Sequence, residues 1–173
     1  QKMIREFSNK ELKPIAQTID KNSIFPKESI KKLSELGLMG IPWPSKYGGS
    51  GMDYISLTIV IEEIAKVCVS TAVTLMAHTS LGSGPFYLFG NEEQKNKYLP
   101  KLSTGEIIGS FALTEPNAGS DAGNTQTIAV LKDDKFIING QKVFCTNAGV
   151  AGIIIFTARL IHNNKDEGIG AFI

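Results

Sequence analysis

Apolar residues in the first hundred positions recur at the spacing of a helix face. Met3, Ile4, Phe7, Leu12, Ile15 and Ile19 form one stripe, and Ile30, Leu33 and Leu36 form another between Pro26 and Gly37. Proline just inside a helix start and glycine just past its end bracket such a segment. Asp53 precedes Leu57, Val60, Ile61, Ile64 and Val67 and predicts a capped helix there. Ser70 stands in the same position before a helix over 71–81, in which Val73, Leu75, Met76 and Leu81 alternate with small and hydroxyl residues. A segment so poor in charge predicts a helix buried nearly all round. Asn91, with Gln94 at the third helical position, resembles a capping box for a helix over 92–102 that stops before Gly105. These stripes read as core rather than as ligand contacts.

From Ile107 the period changes. Short β-branched or aromatic segments over 109–113, 125–131, 135–138, 142–146 and 153–158 are separated by turn residues and predict strands. Asp133-Asp134 and Asn139-Gly140 read as hairpin turns. Helices followed by strands, without alternation, predict two packed units with a boundary near 105–110. The segment 1–7 is helical in period with no capping residue before it, and 170–173 is strand-like, so both ends read as cut from a longer polypeptide.

Charge changes little in this picture. The 18 Lys and Arg residues among 173 face 17 Asp and Glu, scattered along the chain, which suggests neither a nucleic-acid footprint nor a polybasic membrane anchor. No apolar run reaches the length of a membrane span, and the start lacks the layout of a signal peptide. Cys68 and Cys145 have no CxxC or His-rich neighbourhood, so no metal site is expected, and they read as reduced packing residues of a soluble, intracellular protein.

The candidate chemistry concentrates in 111–121, Phe-Ala-Leu-Thr-Glu-Pro-Asn-Ala-Gly-Ser-Asp, where small residues and hydroxyls allow close approach of a ligand. Glu115, beside Pro116, reads either as a catalytic carboxylate or as the acceptor that fixes the turn. The loop Tyr47-Gly48-Gly49-Ser50-Gly51 lacks the Gly-Lys-Ser/Thr ending of a phosphate loop and reads as a turn into the next helix. His78 has no carboxylate partner in sequence reach and reads as a packed or pocket-lining residue before a general base. His162, Asn163 and Asn164 read as loop, and Glu62 and Glu63 as a solvated or interdomain helix face.

A second segment, 138–148, Ile-Asn-Gly-Gln-Lys-Val-Phe-Cys-Thr-Asn-Ala, pairs with the first. The order of a helical half, Leu-Thr-Glu-Pro-x-Ala-Gly-Ser-Asp, and then Asn-Gly-x-Lys-x-aromatic-x-Thr-Asn resembles the acyl-CoA dehydrogenases across essentially the whole chain, with wording nearest the short-chain, butyryl-type members. The resemblance implies a multi-domain α and β protein: an N-terminal all-α helical bundle domain over 1–108, a partial antiparallel β-barrel-like middle domain over 109–173, and a C-terminal helical domain absent from these residues. It implies a flavin enzyme that oxidises the α,β bond of a short-chain acyl-CoA thioester with FAD as hydride acceptor.

By the same resemblance Phe111 and Leu113 line the flavin, Thr114 bonds the isoalloxazine edge, and Gly119 and Ser120 approach the FAD pyrophosphate, Ser120 also lying near the CoA. Thr146 donates toward flavin N5, and Phe144 covers the ring face away from substrate, at a position where many relatives carry Trp. Thr74, Ala77 and Leu81, on one helix face, meet the acyl chain or simply pack. The catalytic base is expected beyond Ile173, leaving this stretch alone inactive. The implied partners are acyl-CoA, an electron-transfer flavoprotein and further copies of the protein in a dimer or tetramer, with no nucleic acid or membrane. The implied location is the cytoplasm, or the mitochondrial matrix in a eukaryote. An acyl-CoA oxidase, an enoyl-CoA reductase and a non-catalytic scaffold remain as alternatives.

Overall fold

The computed structural model describes residues 1–163 and 165–173. Helix α1 (Lys2–Phe7) runs through a π-turn, Ser8–Leu12, into α2 (Lys13–Lys21). Helix α3 (Lys27–Glu35) starts at Pro26, and Gly37 then takes φ 69°, the left-handed conformation that stops it. Asp53 caps α4 (Tyr54–Ala65) by accepting the Ser56 N–H at 2.8 Å. Helix α5 (Val69–Ala77) passes through a second π-turn, His78–Ser83, into α6 (Gly84–Phe89). Helix α7 (Glu92–Thr104) opens on the Asn91/Gln94 capping box and ends at Gly105, φ 75°.

Both π-turns lie just before a proline, Pro14 and Pro85. Proline lacks an N–H and presses on the carbonyl four residues back; a wider turn relieves the conflict. The inserted residue also shifts the helical phase between α1 and α2. Ile4, Leu12 and Ile19 are buried, whereas Met3 and Ile15 face outward. The principal core gathers Ile4, Leu12, Ile30, Leu33, Met39, Ile64 and Leu75 from α1 through α5.

Two helical expectations are corrected. The charge-poor helix has Cys68, not Ser70, at its N-cap position, with no side-chain capping bond, and it is not buried all round: Val69, Val73, Met76 and Leu81 are exposed, while Ala72, Leu75 and Ala77 pack inward. At 3.6 residues per turn one face meets the core and the other does not. Glu63 is not solvated. Its side chain is 1% exposed and accepts from Arg5 Nε at 2.8 Å, Arg5 Nη2 at 2.9 Å, Gln1 Nε2 at 2.8 Å and Lys66 Nζ at 3.0 Å. The Arg5 fork, with Lys66 and Gln1, holds the carboxyl well below the usual range despite its burial and ties α1 to α4. Glu62 stays exposed against Lys66.

Among the described residues the strands form one curled five-stranded sheet organised on β4 (Ile153–His162). β1 (Gly109–Ala112) runs parallel to its first half, in the register Gly109↔Ile153, and β2 (Ile128–Lys132) runs parallel to its second half, Ile128↔Arg159. β5 (Lys165–Phe172) pairs antiparallel with β4 residues already bonded to β1 and β2, so it takes the other edge. β3 (Lys135–Asn139) is antiparallel to β2 through Asp133 and Asp134, both at positive φ as a tight hairpin requires. The sheet is therefore mixed in direction where a partial antiparallel, barrel-like one was expected, because long excursions separate β1, β2 and β4 and allow parallel return.

Three local expectations also change. Residues 142–146 form no strand, and Asn139-Gly140 is an exit from the sheet, not a hairpin turn. Phe144 and Asn147 adopt φ 57° and 71°, which a ladder cannot accommodate. His162 ends β4 opposite Lys165 instead of lying in a loop; Asn164 lies outside the described residues.

The helices join the sheet at His78. It is fully buried, its Nδ1 accepts the Gly109 N–H at 3.0 Å, and its Nε2 sits 3.0 Å from the Leu102 carbonyl, which assigns the proton to Nε2. The backbones of Gly82 and Gly109 touch beside it: a Cβ on Gly82 would lie 2.5 Å from the Gly109 carbonyl carbon. Burial pushes the imidazole down to about 4, against the smaller opposing pull of the Leu102 carbonyl. The folded protein thus keeps His78 neutral in a range where the unfolded chain binds a proton, so its stabilisation is complete above about pH 6.5 and is lost as pH falls toward 4. The loss amounts to about 3 kcal/mol. Urea midpoints should fall between pH 6.5 and 5 in the wild type and change little in His78→Gln; a flat wild-type profile contradicts this account.

Candidate functional site

Sheet and helices meet in a cleft of about 220 Å³ at the open end of β1. One wall is Ala77 and Leu81, from the end of α5 and the π-turn that follows. A second is Phe111, Leu113 and Thr114, where β1 runs out; the third is Val143, Phe144 and Thr146. Seven residues singled out from the sequence therefore line one hollow: Ala77, Leu81, Phe111, Leu113, Thr114, Phe144 and Thr146. A hollow of about 450 Å³ beside α3 is larger, but it takes neither motif segment; Phe25, Ile30 and Ile108 line it among charged side chains.

The third wall is held without a strand ladder. Lys142 Nζ donates to the Leu113 carbonyl at 2.9 Å, to Glu115 Oε1 at 2.7 Å and to Thr157 Oγ1 at 3.1 Å. The Val143 N–H donates to the Thr114 carbonyl at 2.8 Å. Ser110 Oγ donates to the Thr146 carbonyl at 2.6 Å. Asn147 Nδ2 reaches the carbonyls of Thr74, at 3.1 Å, and Gly109, at 3.4 Å. For both Thr114 and Thr146 the scaffold uses the backbone carbonyl, and the residue itself faces the cleft.

Between these anchors Phe144 is 91% exposed at φ 57°. A bulky residue in the left-handed region is strained by about 1–3 kcal/mol. Nothing in core packing repays an exposed ring for that strain. A flat apolar surface held open beside two hydroxyl residues suits a planar aromatic group with polar edges.

Glu115 is the acceptor that fixes the turn. Its carboxylate, 3% exposed, takes the Gln126 N–H at 2.6 Å, the Thr127 N–H at 3.0 Å and the Lys142 ammonium. Burial pushes its carboxyl up, but Lys142 and the donors of Thr127 and Gln126 outweigh that and hold it at about 2. Backbone bonds between Glu115 and Ala118 close the turn below it.

The remaining named positions lie apart. Gly119 and Ser120 sit on the exposed loop beyond Ala118; a Cβ on Gly119 would meet nothing within 4 Å, so the chain itself leaves room for an approaching group. Thr74 is buried with its hydroxyl on the Ser70 carbonyl, and its own carbonyl takes Asn147. Lys142, Asn147 and Ser110 were given no role by sequence reading, because each acts on a backbone carbonyl whose position only the fold supplies. The Thr-Asn pair was visible as a motif, but an asparagine in the left-handed region was not.

Residues 1–106 match the family model for the acyl-CoA dehydrogenase N-terminal domain, and residues 110–173 match that for the middle domain. The chain is 50% identical over 171 residues to the short-chain specific acyl-CoA dehydrogenase of Clostridium acetobutylicum, covering 99% of this chain and 45% of that protein. Among solved structures, one described as an electron transferring flavoprotein of Acidaminococcus fermentans superposes with a TM-score of 0.92 at 43% identity, covering 99% of this chain and 45% of that one. An acyl-CoA dehydrogenase complexed with FAD from Bacillus anthracis gives a TM-score of 0.90 at 38% identity, over 99% of this chain and 29% of that one. The chain spans about 45% of the length of the curated relatives it matches.

Asn147 allows the anchoring to be tested. Alanine removes two hydrogen bonds and cannot easily adopt φ 71°, whereas glycine removes the bonds but tolerates the angle. Asn147→Ala should destabilise more than Asn147→Gly, by about 1 kcal/mol in chemical denaturation. Equal losses would mean that the angle is not enforced.

Proposed function

The chain belongs to the acyl-CoA dehydrogenase family, and from that premise we propose that its cleft is one part of the FAD and acyl-thioester site of a longer polypeptide. The observation that carries this reading is Phe144, a strained and exposed ring at the edge of a hollow lined by both motif segments and the α5 wall. The reaction proposed is oxidation of the α,β bond of a short-chain acyl-CoA to the enoyl-CoA.

FAD, when bound, supplies the hydride acceptor. In this reading Phe144 covers one face of the isoalloxazine, Thr114 and Thr146 bond its edge, and Phe111 and Leu113 contact it from β1. Gly119 and Ser120, out on the loop, approach the diphosphate and the CoA. Ala77 and Leu81 stand across the cleft, where an apolar acyl chain would lie; Thr74 supports that wall from behind. A hollow of about 220 Å³ is smaller than the roughly 300–1,000 Å³ of complete ligand sites. Further walls from outside these residues are part of the proposal.

The base that removes the α-proton is placed outside the chain as well. Glu115 is spent on Lys142 and two backbone donors, and Glu63 on Arg5, Lys66 and Gln1. His78 has a bond on each ring nitrogen. All three are buried with their bonds already made, and both carboxyls are held far below the usual carboxylate range, so none is poised to take a substrate proton. The proposed electron acceptor is an electron-transfer flavoprotein, and the proposed assembly is a homo-oligomer in the cytoplasm or the mitochondrial matrix. No helix among the described residues is long and apolar enough to cross a membrane.

The whole protein should purify yellow with bound FAD, and its visible band should bleach on anaerobic addition of butyryl-CoA. A colourless protein that does not take up FAD contradicts the reading. Phe144→Asn, which tolerates the left-handed angle, should raise unfolding stability by about 1 kcal/mol while weakening FAD retention. Lower stability, or unchanged FAD retention, would argue that Phe144 is held for another purpose.

A further inference from the structure

The groups proposed to face the flavin come from two pieces of chain that share no strand pairing. Thr114 follows β1, and Phe144 and Thr146 lie in the irregular segment after β3. Their relative position is set by a few bonds, and Lys142 makes the densest cluster of them. Its ammonium has three donors and three acceptors: Leu113 O, Glu115 Oε1 and Thr157 Oγ1. The side chain is only 11% exposed. Two of these acceptors flank Thr114 on either side, and the third belongs to β4, so one atom fixes the end of β1 against the sheet and against its own segment. Phe144 stands two residues further on at φ 57°. Such an angle persists only where the surroundings over-determine it. Asn147 pins the far end of the segment; Lys142 and Val143 pin the near end.

Resting on the flavin reading of the cleft, we propose that Lys142 is a positioning residue for the cofactor: it sets the separation of Thr114 from Phe144 and Thr146, and thereby the fit of both halves of the cradle on one ring system. It acts by geometry, not by field, because Glu115 neutralises its charge at 2.7 Å. Three acceptors arranged around a point suit an ammonium; a planar guanidinium cannot satisfy all three from the same place.

The test is an FAD titration of the whole apoprotein, read by absorbance and by quenching of flavin fluorescence. Lys142→Arg keeps the charge, Lys142→Met with Glu115→Gln removes both charges together, and Thr157→Val removes one acceptor remote from the cleft. Thermal midpoints check the fold of each. The first two should weaken FAD binding about tenfold and leave the bound flavin more fluorescent, the scale of one misplaced hydrogen-bonding group. Thr157→Val should weaken it about threefold. Wild-type affinity and fluorescence in the folded variants overturn the proposal. If the double substitution does not fold, Lys142→Arg and Thr157→Val decide by the same criterion. A wild-type protein that takes up no FAD overturns the flavin reading itself, and this proposal with it.

Discussion

The ion pair between Glu115 and Lys142 is the constraint on which the cleft depends. A carboxylate 3% exposed and an ammonium 11% exposed lie 2.7 Å apart, and each spends its remaining capacity on the backbone or a hydroxyl. Withdrawing two charges from water costs several kcal/mol for each ion unless the pair is well bonded. Here it is, and the outcome is visible in the carboxyl held at about 2 in spite of its burial. Through these two side chains the turn after β1, the start of β2, a residue of β4 and the segment carrying Phe144 are joined at one point. Without it, the 140–147 segment would have only the Val143, Ser110 and Asn147 bonds to hold a strained ring.

A second joint aligns the helical wall with this sheet. His78 bonds to Leu102 in α7 on one side and to Gly109, the first residue of β1, on the other. Gly82 and Gly109 allow the two backbones to touch, since a Cβ at either position would collide with the other. Ala77 and Leu81 flank His78 along the same stretch, so the distance from their wall of the cleft to Phe111 follows from this contact. The histidine, which reads from the sequence as packed before a general base, is a structural pin, with both nitrogens used and its proton affinity lowered by burial.

Much of this was legible in the sequence because local chemistry decides it. Asp53, the Asn91/Gln94 pair, Gly37, Gly105 and the Asp133-Asp134 hairpin mark their own boundaries. The two motif segments also signalled a shared site, and the fold brings their central residues into one hollow. What was not legible depends on distant partners. A glutamate on a helix face gives no sign that Arg5 will bury it, and a lysine between Gln141 and Val143 reads as a strand surface until Leu113, Glu115 and Thr157 surround it. The 142–146 segment has β-prone residues, yet its bonds to the Leu113 and Thr114 carbonyls, just past β1, override that propensity. The phase change at the Ser8–Leu12 π-turn likewise follows from a proline that the apolar count ignores.

Glu115 and Lys142 work as one unit. A double-mutant cycle on unfolding free energy, with Glu115→Gln, Lys142→Met and both together, measures this directly. Either single substitution should cost about 3 kcal/mol and the double no more than the worse single one, so that the coupling is about 3 kcal/mol. Additive losses, with coupling near zero, would contradict it.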